Sequence, residues 1–303
     1  MVRYLIRRVL TGAGVVVATA VFAYGGWRVL RPELFPGQGL LSGTWGDLEL
    51  AFHPHFEVDE WTDGLQADVW MVAGTLLVGG GLGVRAGKWC ALHPRTLRAR
   101  SLEWVAFALF CLPPFVAGYG ILILFEPTFG VIHMPLFFDV HVYQEPWQNP
   151  WDWFRALLVP WLLAGLPLFG ACLRLTLSAT LEQLDTDFMR AAKAKGLSER
   201  VAVRRHAGDA AMPIVLAYLS AGSAAVVLNV LITETVFSVP GLLAETRRAL
   251  GDVGGIGTSG EFGIPTLQLV AIWSAVIIVA ISIVFDLALA ARDPRVRAAG
   301  RPG

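Results

Sequence analysis

Residues 262–285 read FGIPTLQLVAIWSAVIIVAISIVF, a run without a single charged side chain. A helix needs about 20 mostly apolar residues to cross a hydrocarbon core roughly 30 Å thick. The run therefore reads as a membrane-spanning helix. Five more uncharged runs of similar kind precede it, at 9–27, 69–84, 104–125, 156–173 and 210–233. The run at 69–84 is short, and is expected to recruit Asp68 and Arg85, whose charges would lie at the interface, the arginine by snorkelling. The first run has no small-x-small cleavage site at its end and is followed by Trp27 and Arg28, so it is read as a helix rather than a signal peptide. The expected fold is all-α: a polytopic membrane protein with about six transmembrane helices.

Composition agrees. The chain is 55% hydrophobic and 16% charged, with a mean hydropathy of +0.58, which excludes an ordinary soluble domain. The net charge is zero, but the charges are sorted along the chain. With the N-terminus in the cytoplasm, the inner segments hold nineteen of the 24 Lys and Arg residues. The outer segments keep only Arg28, Arg31, Arg155, Arg247 and Arg248. Basic residues accumulate on the cytoplasmic side of membrane proteins, so both termini are expected there. The chain divides into a tail and first helix (1–30), an external cap (31–67), a five-helix core (68–291) with a long cytoplasmic segment (176–205), and a second tail (292–303).

Within this frame, the glycines of 79–83 suit a helix packed closely among helices. Pro113, Pro114, Pro160 and Pro167 remove backbone hydrogen bonds inside apolar runs, which marks kinks serving either a pathway or packing. Trp147, Trp151 and Trp153 suit an aromatic belt on the outer face. Cys90, in a predicted loop, and Cys111 and Cys172, in helices, have no paired spacing and read as packing residues. The glycine-rich 251–263 segment lacks a Gly-Lys-Ser/Thr ending and is not a phosphate loop. His53 and His55, beside Glu57, Asp59 and Glu60, invite a metal reading, but the spacing is poor for one and a solvated loop is the simpler reading.

The segment 176–205 is rich in helix formers up to Gly196, where Leu-Ser-Glu-Arg follows and Ser198 can cap a new helix. Leu184, Phe188, Ala191 and Ala192 share one face at helical spacing, while Arg190, Lys193 and Lys195 point elsewhere. Such a helix seats in a groove of another protein or lies on anionic lipid; the pattern alone leaves both open. Among groups at membrane depth, Asn229 and Thr233 are candidate pathway residues, with interhelical hydrogen bonding as their other reading. Glu234 and Asp286 lie near the boundaries and read as pairing groups, Asp286 with an arginine of a neighbouring helix. Arg174 is placed to snorkel.

The ordered run from Leu158 to Pro213 resembles the signature region of dipeptide and oligopeptide ABC-importer permeases. It contains Arg174-Leu175-Thr176, Leu181-Glu182, Asp187-Phe188, Arg190-Ala191-Ala192-Lys193-Ala194-Lys195-Gly196-Leu197-Ser198-Glu199-Arg200 and His206-Ala207. Glu234-Thr235-Val236-Phe237-Ser238-Val239-Pro240-Gly241, Pro265, Gln268, Asp286-Leu287 and Asp293-Pro294-Arg295-Val296-Arg297 continue the resemblance. The chain departs from the pattern at Leu177, Gly208, Asp209 and Leu289.

The resemblance implies a type I ABC-importer permease fold in a bacterial inner membrane. It also implies a coupling helix carried by Asp187, Phe188, Arg190, Ala191, Ala192, Lys193, Lys195, Gly196, Leu197, Ser198, Glu199 and Arg200. The partners it implies are a second homologous permease subunit, two cytoplasmic ATPase subunits and an external solute-binding protein, beside membrane lipids and without nucleic acid. No Gly-x4-Gly-Lys-Ser/Thr sequence occurs in the chain, so ATP hydrolysis is expected in those ATPase subunits, and no cofactor or metal is expected here. Peptides are the expected solute; nickel or another small solute is the alternative. A secondary transporter is the more distant one, and would show internal repeats and embedded acids in matching halves.

Overall fold

The longest helix of the chain, at residues 150–184, is also its most enclosed. The structure, a computed structural model, describes residues 2–30, 58–125, 131–132, 142–184, 186, 201, 211–244 and 264–292. Its helices are α1 (Val2–Leu30), α2 (Val58–Thr75), a π-helical turn (Leu76–Gly81), α3 (Leu82–Leu92), α4 (Leu97–Cys111), α5 (Pro114–Phe125), α6 (Pro150–Leu184), α7 (Met212–Ala221), α8 (Ser223–Phe237) and α9 (Ile264–Arg292). No strand occurs among the described residues.

Four helical stretches are long and apolar enough to cross a membrane: Tyr4–Gly26, Asp63–Leu92, Pro150–Gln183 and Leu267–Arg292. Two bent pairs, α4 with α5 at 99° and α7 with α8 at 61°, bring the number to six when each is taken as one span. The six apolar runs of the sequence thus correspond to four continuous helices and two broken ones. Pro113 and Pro114 account for the first break, since the preceding residue cannot easily stay helical and Leu112 is extended (ψ 119°). The second break falls at Gly222, between α7 and α8.

The second span differs from the short run read in the sequence. It extends from Asp63 to Leu92 without interruption and takes in the last residues assigned to the external cap. Asp68, whose charge was expected at the interface, is completely buried within the protein. Cys90, expected in a loop, lies buried on α3, its thiol 3.9 Å from the carbonyl oxygen of Ala99 on α4. Cys172 is buried on α6 and Cys111 exposed at the end of α4.

The 35 residues of α6 give it a length of about 50 Å at the usual rise. Its apolar window is 67% buried, against 17% for that of α1, so α6 is the axis and α1 the periphery. Pro160 and Pro167 lie inside α6 without ending it. Helices in lipid gain nothing from hiding apolar surface from one another and associate through close packing instead. The seam between the second span and α6 shows this physics directly. A methyl group added to Gly79, Gly83 or Gly87 would come within 2.6, 2.7 and 2.6 Å of the carbonyl oxygens of Gly165, Phe169 and Leu173. These glycines recur every fourth residue and form one stripe, and the π-helical turn sits where that stripe begins.

α1 packs on α9, with Ala20, Tyr24 and Ile272 forming a small cluster and the Gln268 amide donating to the Ala23 carbonyl at 3.4 Å. The aromatic belt resolves into two kinds of residue. Trp147 and Trp151 are exposed, whereas Trp153 turns inward, edge-on to Trp70 at 5.3 Å and to Trp161 at 5.1 Å. Trp161 in turn donates its indole N–H to the Trp70 carbonyl at 3.0 Å, which ties α6 to α2.

Candidate functional site

Three regions carry chemistry. The first is the break between α7 and α8. There Pro167 and Leu168 of α6 face Tyr218, Leu219, Gly222, Ala225, Val226 and Asn229 around a small, partly open cleft. Pro167 has no N–H to give the carbonyl four residues back, so the α6 backbone is weakened beside the bend of its neighbour. Asn229 is half-buried and lines the cleft, the sole lining side chain that carries an amide. Thr233 does not: it is 2% exposed, and its hydroxyl donates to the Asn229 carbonyl at 2.7 Å within the same helix.

The second region is the end of the bundle where α1 begins and α9 finishes. Arg8 of α1 pairs with Asp286 of α9, and the Ser220 hydroxyl of α7 donates to the other Asp286 oxygen at 2.8 Å. Ser223 and Ser282 hydroxyls meet at 2.9 Å beside them. Asp286 therefore pairs with an arginine of a neighbouring helix, as its position suggested. Arg174 lies 5.6 Å from the Phe107 ring centre, a cation–π approach from α6 to α4.

At the opposite end, the third region joins α2, α8 and the loop that follows α8. Ser238 adopts a left-handed conformation (φ 53°) that closes α8, with its N–H and that of Val239 both given to the Glu234 carbonyl. Pro240 prevents the helix from continuing, and the chain turns back over its own last turn. This brings Gly241 onto the side chains of Asp68 and Glu234, two carboxyls that are both 0% exposed and lie side by side beneath it. The Leu243 N–H donates to Asp68 Oδ1 at 3.4 Å.

Nearby, in the loop before α6, Glu145 accepts from the Tyr143 hydroxyl at 3.2 Å. Burial, with Asp63 adding repulsion, raises the Glu145 carboxyl above its usual range. Burial and the neighbouring Glu145 push the Tyr143 phenol up as well.

The proposed coupling residues, Asp187 through Arg200, lie outside the described residues, as do His53 and His55. Among the described residues no group of three or more His, Cys, Asp or Glu is placed to hold a metal ion. The contact of Asp68 with Glu234 was not foreseen. The signal in the sequence was two acids inside or at the edge of apolar runs, where an ionisable group is costly and needs a protein partner.

Residues 80–298 match the family described as binding-protein-dependent transport system inner membrane component. A protein of Sinorhizobium fredii described as a probable peptide ABC transporter permease, y4tP, is 30% identical over 74% of this chain and 66% of its own length. The di/tripeptide transport system permease protein DppB of Pseudomonas aeruginosa is 25% identical over 73% of the chain and 68% of its own. The oligopeptide transport system permease protein OppB of Salmonella typhimurium is 27% identical over 42% of each. Other relatives are matched over 54% of their length, so the chain spans between about half and two thirds of the curated relatives it resembles. With a family match that covers most of its length and takes in every helix from α3 to α9, the chain belongs to the binding-protein-dependent transport system inner membrane components.

Proposed function

We propose that the protein is the membrane-spanning permease subunit of an ATP-driven importer of di- and oligopeptides. Both termini lie in the cytoplasm in this reading. Its partners are a second homologous permease, two cytoplasmic ATPase subunits and an external solute-binding protein. The observation that carries it is the family match over residues 80–298, combined with relatives that are each named for peptide transport. Those names favour peptides over nickel.

ATP is hydrolysed outside this chain, and the segment from Asp187 to Arg200 transmits the motion of the ATPases. Phe188, Ala191 and Ala192 seat it, Arg190, Lys193 and Lys195 pair with acids at the rim of the ATPase groove, and Gly196 permits the turn into Leu197, Ser198, Glu199 and Arg200. In this reading the part of the membrane domain that moves is the α7–α8 pair, which is bent at Gly222 beside Pro167 of α6. Rocking at that bend widens or closes the cleft lined by Asn229, which is the alternating-access step. Thr233 steadies the same helix from within rather than contacting solute.

The test is uptake of labelled peptide by proteoliposomes holding the assembled importer with Gly196→Trp in this subunit. Uptake falls to background while insertion and subunit amounts stay normal. Unchanged uptake would sink the assignment.

A further inference from the structure

We propose that Asp68 and Glu234 bind a single proton between them, and that this shared proton fastens the loop after α8 to α2. Both side chains are 0% exposed, and a methyl group on Gly241 would touch an oxygen of each, so the two carboxyls lie side by side. Asp68 Oδ2 and both Glu234 oxygens accept no N–H or O–H hydrogen bond. Two carboxylates side by side, cut off from water, repel each other, and even one charge without a counter-ion is costly to bury. A proton on one of them turns the contact into an O–H···O⁻ hydrogen bond, the short and strong kind.

The surroundings favour a proton over any other ligand. Among the described residues, no Lys, Arg or His pairs with either carboxyl. The groups that face the pair are themselves acidic or neutral: Asp63 on α2, and Tyr143 and Glu145 in the loop before α6. Asp152 and Arg155 of α6 pair with each other, at 3.3 Å. Residues 114–125 of α5, which pack on α8 through Gly118, include no charged side chain.

Gly241 lies so close that a methyl group there would collide with oxygens of both acids, so the loop packs directly on the pair. The Leu243 N–H donates to Asp68 Oδ1 at 3.4 Å, and the amides of Leu242 and Ala244 lie close by. Loss of the proton sets two negative charges against each other directly beneath Gly241, and the loop is driven off α2.

The proposal is independent of the solute carried. Infrared spectra of the purified full-length chain in nanodiscs test it. At about pH 7 the wild type shows the carbonyl stretch of a non-ionised, water-shielded carboxyl that is lost in the double variant Asp68→Asn, Glu234→Gln. Hydrogen exchange of the Leu242–Ala244 amides in the wild type rises about tenfold between about pH 6 and about pH 9, beyond the rise common to all amides. The double variant, which has no proton to lose, shows no such excess.

If that variant does not assemble, the wild-type band and exchange still decide the matter. Absence of the band at neutral pH, or exchange in 242–244 that tracks the rest of the chain, overturns the proposal. So does a band abolished by millimolar Na⁺, Mg²⁺ or Ca²⁺, which would make the site one for a cation.

Discussion

At the end of the bundle where α1 begins, Asp286 lies against Arg8 and takes a second hydrogen bond from Ser220. At the other end Asp68 and Glu234 lie side by side under Gly241, and among the described residues no basic side chain is bonded to either. Both arrangements bury carboxyls at the margin of apolar helices, yet they join different things. The first links three helices, α1, α7 and α9, through an ion pair and a serine hydrogen bond. The second links α2 to a turn made by Ser238, Val239 and Pro240, and relies on a neighbour too small to interfere. An ion pair with one partly exposed partner tolerates substitution at moderate cost. A pair of facing acids is intolerant of anything that alters its spacing.

The sharpest way to break the comparison is Gly241→Ala. The backbone there is not left-handed, so alanine meets no conformational penalty; its methyl group lands on Asp68 Oδ1 and on Glu234. Neither acid has room to withdraw, because both are fully buried. The expected loss is about 3 kcal/mol, the upper part of the usual range for overpacking, read as a lowered melting temperature in detergent. Pro240→Ala, one residue away and exposed, loosens the turn without a collision with the acids and costs less.

Asp286→Asn probes the opposite end. The amide oxygen still accepts from Ser220, but the charge on Arg8 loses its partner. Arg8 keeps 44% of its side-chain surface exposed, so solvent takes up part of the loss. The expected cost is about 1–2 kcal/mol, below that of Gly241→Ala, and it shrinks in high salt. A cost equal to the Gly241→Ala value would mean that the two ends are built alike.

Glu145→Gln sharpens the same contrast through pH. Burial raises the Glu145 carboxyl above its ordinary 4.5, so ionisation costs more in the folded state than in the unfolded one. Its contribution to stability is therefore intact below about pH 4.5 and is lost as the pH rises through the raised value. Glutamine keeps an oxygen for the Tyr143 hydroxyl and carries no charge. The variant should match the wild type in acid and exceed it at neutral pH by up to about 1 kcal/mol. Melting curves across that range check it, and a variant that is less stable at neutral pH would contradict it.

How much of this was legible follows from which forces act locally. Six apolar runs were visible because lipid imposes a length and an absence of charge on every span, and 262–285 alone was enough to set the frame. The break at Pro113 was marked by chemistry that belongs to the residue itself. The break at Gly222 was not: glycine inside an apolar run serves equally as a packing surface, which is what Gly79, Gly83 and Gly87 do. The same ambiguity hid the reach of the second span, since Asp63 and Asp68 look like its boundary until Glu234 is brought beside Asp68. Arg8 and Asp286, 278 positions apart, could be sorted by charge and depth but paired only by the packing of α1 on α9. Asn229 and Thr233 look alike by depth and polarity; only the helix rotation puts one in the cleft and turns the other back onto its own backbone.

The smallest expected effect tests whether the Arg8 end is a network or a set of separate contacts. Ser223 and Ser282 share a hydrogen bond at 2.9 Å, and Ser282 also donates to the Ser220 carbonyl at 3.2 Å. Hydrogen bonds between helices in a membrane are worth about 0.6 kcal/mol on average, because the separated helices find other partners. A double-mutant cycle with Ser223→Ala and Ser282→Ala should therefore return a coupling near that value in wild-type background. If the serines and the ion pair act as one unit, the coupling falls toward zero when Asp286→Asn is already present, since Ser220 is the hinge between them. If it is unchanged, the Arg8 end holds by independent contacts, and its tolerance of substitution comes from that independence rather than from the exposure of Arg8.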